Sequence, residues 1–139
     1  FLGPIRKALK KEEYAVIPGI STMQLAFAKI GESWQDAKII SIHGRSKRNL
    51  VNELKACGKA FIFIDAKFSP EKIAGYLLRN GIKNRRAIVF EALTYPNERI
   101  VDTDLKALST LRLRSGLMVS KVEPSNKRGF GLCAMIIKK

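Results

Sequence analysis

Four short segments place a turn where an apolar run ends: Pro18-Gly19-Ile20-Ser21, His43-Gly44-Arg45, Asp65-Ala66-Lys67 and Glu91-Ala92-Leu93-Thr94. In open α/β sheets, ligands bind outside the carboxyl ends of the strands. Gly19 permits close approach of a ligand to the backbone. The N–H groups that open the helix behind Ser21 can meet a carboxylate or a ring nitrogen. His43 is the one histidine of the chain, and its pKa suits either orienting a substrate or assisting a proton step. Other constellations are missing. The sequence has no Gly-x-Gly-x-x-Gly, no Walker lysine loop, no Gly-x-Ser-x-Gly elbow and no obvious pair of acid/base carboxylates. Cys57 and Cys133 lie far apart, so with a single histidine no metal site is expected. They read as reduced, buried thiols of a cytoplasmic protein.

The elements that must position these turns alternate between helical and extended periods. Pro4 to Lys11 reads as a short basic helix and Tyr14 to Ile17 as a brief strand, broken by Pro18 and Gly19. Ser21 caps a helix to about Ile30 that is apolar nearly all round, which predicts thorough burial, with Gly31 as its stop. After a turn at Ser33-Trp34-Gln35-Asp36, a strand over 37–42 leads into His43. Trp34 and Phe27 read as core or domain contacts rather than stacking platforms. Asn49 caps a helix carrying Leu50, Val51, Leu54 and Cys57, ended by Gly58. The run Ala60-Phe61-Ile62-Phe63-Ile64 is apolar without a break, as in a central strand buried on both faces. Ser69-Pro70-Glu71 opens a helix that runs to Asn80 and stops at Gly81. A strand over 86–93 turns at Tyr95-Pro96-Asn97 and returns antiparallel over 98–101. A helical turn over 105–108, a strand over 116–122, a basic loop over 125–129 and a last strand over 130–137 complete the reading. This is an α/β fold with a mixed sheet.

At 139 residues, with 46% hydrophobic, 8% aromatic and 27% charged residues, the chain is neither disordered nor fibrous. Lys and Arg number 26 against 12 Asp and Glu, a net charge of +14 that attracts polyanions. Lys83, Arg85 and Arg86 read as solvated surface. No apolar run is long enough for a membrane span, and no signal peptide is visible.

The ordered motifs Val16-Ile17-Pro18-Gly19-Ile20-Ser21-Thr22-Met23-Gln24-Leu25-Ala26-Phe27-Ala28, Trp34-Gln35-Asp36-Ala37 and Ser41-Ile42-His43-Gly44-Arg45 resemble the tetrapyrrole (corrin/porphyrin) methyltransferase family. Phe90-Glu91-Ala92-Leu93-Thr94-Tyr95-Pro96-Asn97-Glu98-Arg99-Ile100 is similar to a later signature of the same family. His-Gly-Arg and Tyr-Pro-Asn-Glu-Arg-Ile resemble its carbon-5 branch, which acts on cobalt-precorrin-7 (precorrin-6Y) in cobalamin synthesis. The likeness runs over roughly residues 1–124. It implies a three-layer fold, mostly the C-terminal domain with a mixed sheet plus the end of an N-terminal domain. In that reading 1–32 is the N-terminal remnant, 33–124 the C-terminal domain and 125–139 a basic extension. The family's Gly-rich strand-turn and Gly-Asp-Pro motif do not occur, so Phe1-Leu2-Gly3 is expected to begin just after them.

The resemblance implies a methyl transfer from S-adenosylmethionine, with S-adenosylhomocysteine as product, to the carbon of a corrin-ring precursor. It implies cofactor contacts at Pro18, Gly19, Ile20, Ser21, Asp65, Ala66, Ala92, Leu93 and Thr94. It places His43, Arg45, Lys47 and Arg48 on the substrate, with His43 the candidate catalytic group and the basic residues on ring carboxylates. It also implies a homodimer in the cytoplasm and a decarboxylating methyltransferase as a possible partner. The rival readings are a basic nucleic-acid-binding module, supported by Arg45-Ser46-Lys47-Arg48, Arg112-Leu113-Arg114 and Lys127-Arg128, and a non-catalytic remnant serving as a dimerisation or partner domain. No known nucleic-acid-binding motif supports the first, and the basic residues are spread along the chain.

Overall fold

The computed structural model describes residues 4, 7–10, 14–42, 49–64, 68–111 and 133–139. Its elements are α1 (Thr22–Lys29), β1 (Lys38–Ser41), α2 (Leu50–Lys55), β2 (Lys59–Phe63), α3 (Pro70–Arg79), β3 (Arg86–Glu91), β4 (Arg99–Asp104), α4 (Leu105–Thr110) and β5 (Cys133–Lys138). The strands form one mixed sheet in the order β1-β2-β5-β3-β4. β1 and β2 are parallel, while β5 runs antiparallel between β2 and β3 and β4 returns antiparallel beside β3.

Alternation along the strands sends side chains to opposite faces. Ala60, Ile62, Ala87, Val89, Met135 and Ile137 meet α2, α3 and α4 on one face. Phe61, Ile88, Phe90, Ala134 and Ile136 meet Met23, Ala26 and Phe27 of α1 on the other. Helices on both sides of a sheet make the three-layer α/β architecture expected. The apolar run of β2 is indeed buried on both faces, with Ala60, Phe61 and Ile62 fully enclosed.

Helix ends follow local chemistry. Ser21 accepts from the Gln24 N–H at 3.2 Å while Gln24 Oε1 accepts from the Ser21 N–H at 2.9 Å, a reciprocal cap. Past the helix ends, Gly31 and Gly81 take φ of +67° and +82°, a conformation that costs other residues a Cβ clash. Asn49 and Ser69 precede their helices as expected, but neither side chain bonds the helix end.

Several expectations are corrected. Residues 14–17 form no strand: Val16 and Ile17 are exposed, Ile17 by 89%, and no strand among the described residues lies beside them. The helix after Ser21 is half-buried, because its face bearing Thr22, Gln24 and Ala28 turns to solvent. Trp34 is exposed, whereas Phe27 is core. Cys57 and Cys133 are free thiols, but only half-buried. Arg85 is not solvated surface. It is 7% exposed and donates to the carbonyls of Leu54, Cys57 and Gly58 at 2.9–3.0 Å, closing the C-terminal end of α2. Cys133–Lys138, read as part of a terminal extension, forms the middle strand of the sheet. Its sequence Cys-Ala-Met-Ile-Ile-Lys is apolar enough to be buried on both faces. Of the short basic helix, Pro4, Lys7 and Ala8 are helical, and Ile5, Arg6 and Lys11 lie outside the described residues. The strand expected over 116–122 and the loop over 125–129 also lie outside them.

Candidate functional site

Because β5 is antiparallel to its neighbours, its amino end lies beside the carboxyl ends of β2 and β3. Register sets Ala134 against Phe63 and Phe90, and Cys133 against Glu91. The first half of α1 covers this rim of the sheet. Between them is a cavity of about 430 Å³ lined by Ile20, Thr22, Leu25, Phe63, Ile64, Phe90, Leu93, Thr94, Tyr95, Cys133 and Ala134. Small-molecule sites span roughly 300–1,000 Å³ and are mostly apolar with a few polar groups. A wider depression of about 1020 Å³ lies at the opposite rim, among Lys83, Asn84, Arg86, Asp102, Asp104, Lys106 and Lys139. Its acids are already engaged: Arg86 holds Asp102 through two bonds of 2.6 and 2.8 Å, and Asp104 caps α4.

The turn after β3 carries unusual backbone. Ala92 and Thr94 have φ of +49° and +73°. Left-handed geometry costs a non-glycine residue roughly 1–2 kcal/mol and persists only where surrounding contacts impose it. Those contacts are visible. The Tyr95 N–H donates to the Ala92 carbonyl at 3.0 Å, and the Glu98 N–H donates to the Tyr95 carbonyl at 2.9 Å. The Thr94 N–H donates to Glu98 Oε2 at 2.9 Å, and Lys29 Nζ lies 2.8 Å from Glu98 Oε1. The Lys29 ammonium, seconded by the Thr94 N–H, holds the Glu98 carboxyl below the usual carboxylate value.

Cys133 on the cavity wall is no nucleophile. Burial first, then the nearby carboxylates Glu91 and Glu71, push its thiol up to about 12. A thiol so placed stays protonated at neutral pH. Among the described residues, no cluster of His, Cys, Asp or Glu gathers to hold a metal. Nor does any described helix have the length and apolarity to cross a membrane.

Of the residues singled out in the sequence, Ile20, Leu93 and Thr94 line the cavity. Ser21 stands next to its wall with its hydroxyl committed to the cap, and Ala92 lies at the base of the strained turn. Pro18 and Gly19 are exposed just before α1. A Cβ at Gly19 would meet nothing within 4 Å, so the described fold itself does not require glycine there. His43, Arg45, Lys47, Arg48, Asp65 and Ala66 lie outside the described residues. Thr22, Leu25, Phe63, Ile64, Phe90, Tyr95, Cys133 and Ala134 also line the cavity, and the sequence motifs do not mark them as ligand contacts. Phe63 and Phe90 could have been found as the last large residues of apolar strands, whereas Cys133 and Ala134 join them only through the direction of β5.

A sheet with helices on both faces and an apolar, ligand-sized cavity at its carboxyl rim is an α/β architecture of the kind in which open sheets hold ligands. The sequence profile described as Tetrapyrrole (Corrin/Porphyrin) Methylases matches residues 3–109, and the chain belongs to that family. It is 39% identical over 103 residues to the probable cobalt-precorrin-7 C(5)-methyltransferase of Methanocaldococcus jannaschii, covering 72% of this chain and 47% of that protein. It is 35% identical over 91 residues to the cobalt-precorrin-7 C(5)-methyltransferase of Salmonella typhimurium, covering 64% and 43% respectively. The chain thus spans about half the length of these curated relatives or less. Among solved structures, the fold is similar to cobalt precorrin-4 methyltransferase, with a TM-score of 0.67 at 18% identity over 96% of this chain and 56% of that one. It is also similar to the precorrin-6Y methylase of Archaeoglobus fulgidus, with a TM-score of 0.53 at 17% identity over 99% and 55%. A uroporphyrin-III C-methyltransferase from Thermus thermophilus, solved with S-adenosyl homocysteine, gives 0.54 at 17% identity over 89% and 52%.

Proposed function

We propose that this chain is part of an S-adenosylmethionine-dependent methyltransferase that acts on carbon 5 of a cobalt-precorrin-7-type corrin ring in cobalamin synthesis. The observation that carries the reading is the apolar cavity at the carboxyl rim, on which Ile20, Leu93 and Thr94 converge from motifs resembling the family's signatures. Its volume and its mixture of apolar walls with turn backbone suit the cofactor or its product. Ile20, Leu25 and Leu93 would hold the apolar parts, and the 92–95 turn would present its polar groups. Open space beside Gly19 would let the ligand approach the backbone before Ser21. Asp65 and Ala66 would flank the same ligand, and His43, Arg45, Lys47 and Arg48 would meet the ring and its carboxylates.

S-adenosylmethionine, when bound, supplies an electrophilic methyl on a sulfonium. Attack by an electron-rich ring carbon needs no protein nucleophile, only reacting atoms held close and in line. The described site fits that division of labour. Its thiol is kept protonated, and its walls are shaped by packing and by a constrained turn. The net charge of +14 would draw in a ring fringed with carboxylates. Among the described residues many basic side chains are internally engaged, including Lys29, Lys59, Arg85 and Arg86, so the charge alone does not argue for a nucleic-acid surface.

Thermal unfolding with S-adenosylhomocysteine tests the reading. At a hundredfold excess over Kd a ligand that binds the folded state adds about 2.7 kcal/mol of stability. The Tm is expected to rise, and Leu93→Trp, which fills the cavity, is expected to abolish the rise. No shift for the unaltered chain overturns the assignment of this cavity to the cofactor.

A further inference from the structure

The proposed ligand cavity has two walls from distant parts of the sequence: the start of α1 and the turn after β3. One side chain touches the support of both. Glu98 Oε2 accepts from the Thr94 N–H at 2.9 Å, inside the left-handed turn, and Glu98 Oε1 meets Lys29 Nζ at 2.8 Å, on the last turn of α1. Thr94 and Tyr95 line the cavity from one side, and Thr22 and Leu25 of α1 line it from the other. Neither Ala92 nor Thr94 favours its φ by residue type, so contacts must impose this shape, and the Glu98 side chain adds one to the turn's own backbone bonds.

We propose that Glu98 is a positioning residue for the bound nucleoside ligand, a clamp that fixes the strained Thr94 turn against α1 without touching the ligand itself. The proposal rests on the cofactor assignment above and adds a residue to it. The two oxygens do separate jobs. One holds backbone in a conformation it would otherwise leave, and the other sets the distance between turn and helix. Lys29 also lies in the last turn of α1, where a cation meets the negative end of the helix. That favours one placement of the ammonium and hence of the carboxylate.

The experiment uses the whole chain with three variants: Glu98→Ala, Glu98→Gln, and the exchanged pair Lys29→Glu with Glu98→Lys. It reads amide hydrogen exchange at Thr94 and affinity for S-adenosylhomocysteine. Glu98→Ala removes the charged acceptor of the Thr94 N–H and is expected to weaken binding about tenfold and to speed Thr94 exchange by a similar factor. Glu98→Gln keeps an oxygen for the Thr94 N–H and is expected to lose only about threefold, as for a neutral bond. The exchanged pair restores opposite charges but offers Thr94 no acceptor, so it is expected to bind as poorly as Glu98→Ala. Wild-type affinity in the exchanged pair would reduce Glu98 to an ion pair and overturn the proposal. Unchanged Thr94 exchange in Glu98→Ala would overturn it too. If the unaltered chain fails to bind the probe, the cofactor assignment falls, and with it Glu98's role toward that ligand.

Discussion

The two rims of the sheet are built on opposite rules. At the amino ends of β1, β2 and β3, buried or half-buried polar groups find partners. Arg85 satisfies three carbonyls after α2. Lys59 donates to the Ser33 carbonyl at 2.7 Å, lies 2.8 Å from Asp36, and sits 5.4 Å over the Phe27 ring. Lys138 reaches Glu32. At the carboxyl ends there is instead a cavity, a protonated thiol and two residues in left-handed backbone. Under the function proposed above, the difference separates stability from binding. The first rim, which also carries a broad polar depression and Asn84 at φ +54°, spends its charged groups on one another; the second pairs a smaller, mostly apolar cavity with the two strained residues of one turn.

The largest expected effect concerns the thiol at the cavity rim. Raising the Cys133 pKa from 9.0 to about 12 lowers its thiolate fraction at pH 8 roughly thousandfold. Alkylation by iodoacetamide, followed site by site by mass spectrometry, should therefore label Cys133 only after unfolding. Rapid native labelling would show that the rim is open rather than enclosed. At the other rim, Arg85→Met should destabilise by about 3 kcal/mol, because buried carbonyls left unpaired cost about 1–3 kcal/mol. Denaturant unfolding measures this, and affinity per folded molecule should stay unchanged. A parallel loss of affinity would break the separation of the rims.

Smaller effects sharpen the same contrast. Ser21→Ala removes the cap at the mouth of the cavity and should cost about 1 kcal/mol. Ala92→Gly should stabilise by about 0.5 kcal/mol, since relief of left-handed strain outweighs the added freedom of the unfolded chain. It should nonetheless weaken binding, as the turn loosens. Gains in both stability and affinity would mean that the strain has no functional use. Acid pH offers a check on both rims. The Asp36 carboxyl is held low chiefly by its bond from Lys59, and Glu98 by Lys29, so the stability each adds is present at neutral pH. It is lost as pH falls below the ordinary carboxylate range of about 4.

How much of this could be read in advance depended on the range of the cause. Ser21 with Gln24, Ser69-Pro70-Glu71 and Tyr95-Pro96-Asn97 act on their own neighbours, and the elements they start or end stand where expected. Arg85 reads as surface in the sequence because its partners Leu54, Cys57 and Gly58 are distant along the chain, and only the fold brings them to it. Residues 14–17 have a strand's composition, but a strand also needs a neighbour to bond. The lining of the candidate cavity divides in the same way. Ile20, Leu93 and Thr94 follow from motifs, whereas Cys133 and Ala134 enter only because β5 inserts between β2 and β3.

That insertion has a consequence for how the molecule comes into being. β1 and β2 can pair as they emerge, and so can β3 and β4, but β2 and β3 never touch through hydrogen bonds. Each pair keeps an open, sticky edge until residues 133–138 arrive. During synthesis the two half-sheets must therefore wait for a strand translated after all their own, a non-local closure of the kind that slows folding. A ribosome that stalls between Thr110 and Cys133 would release a chain with every helix named here and no closed sheet, a natural client for chaperones.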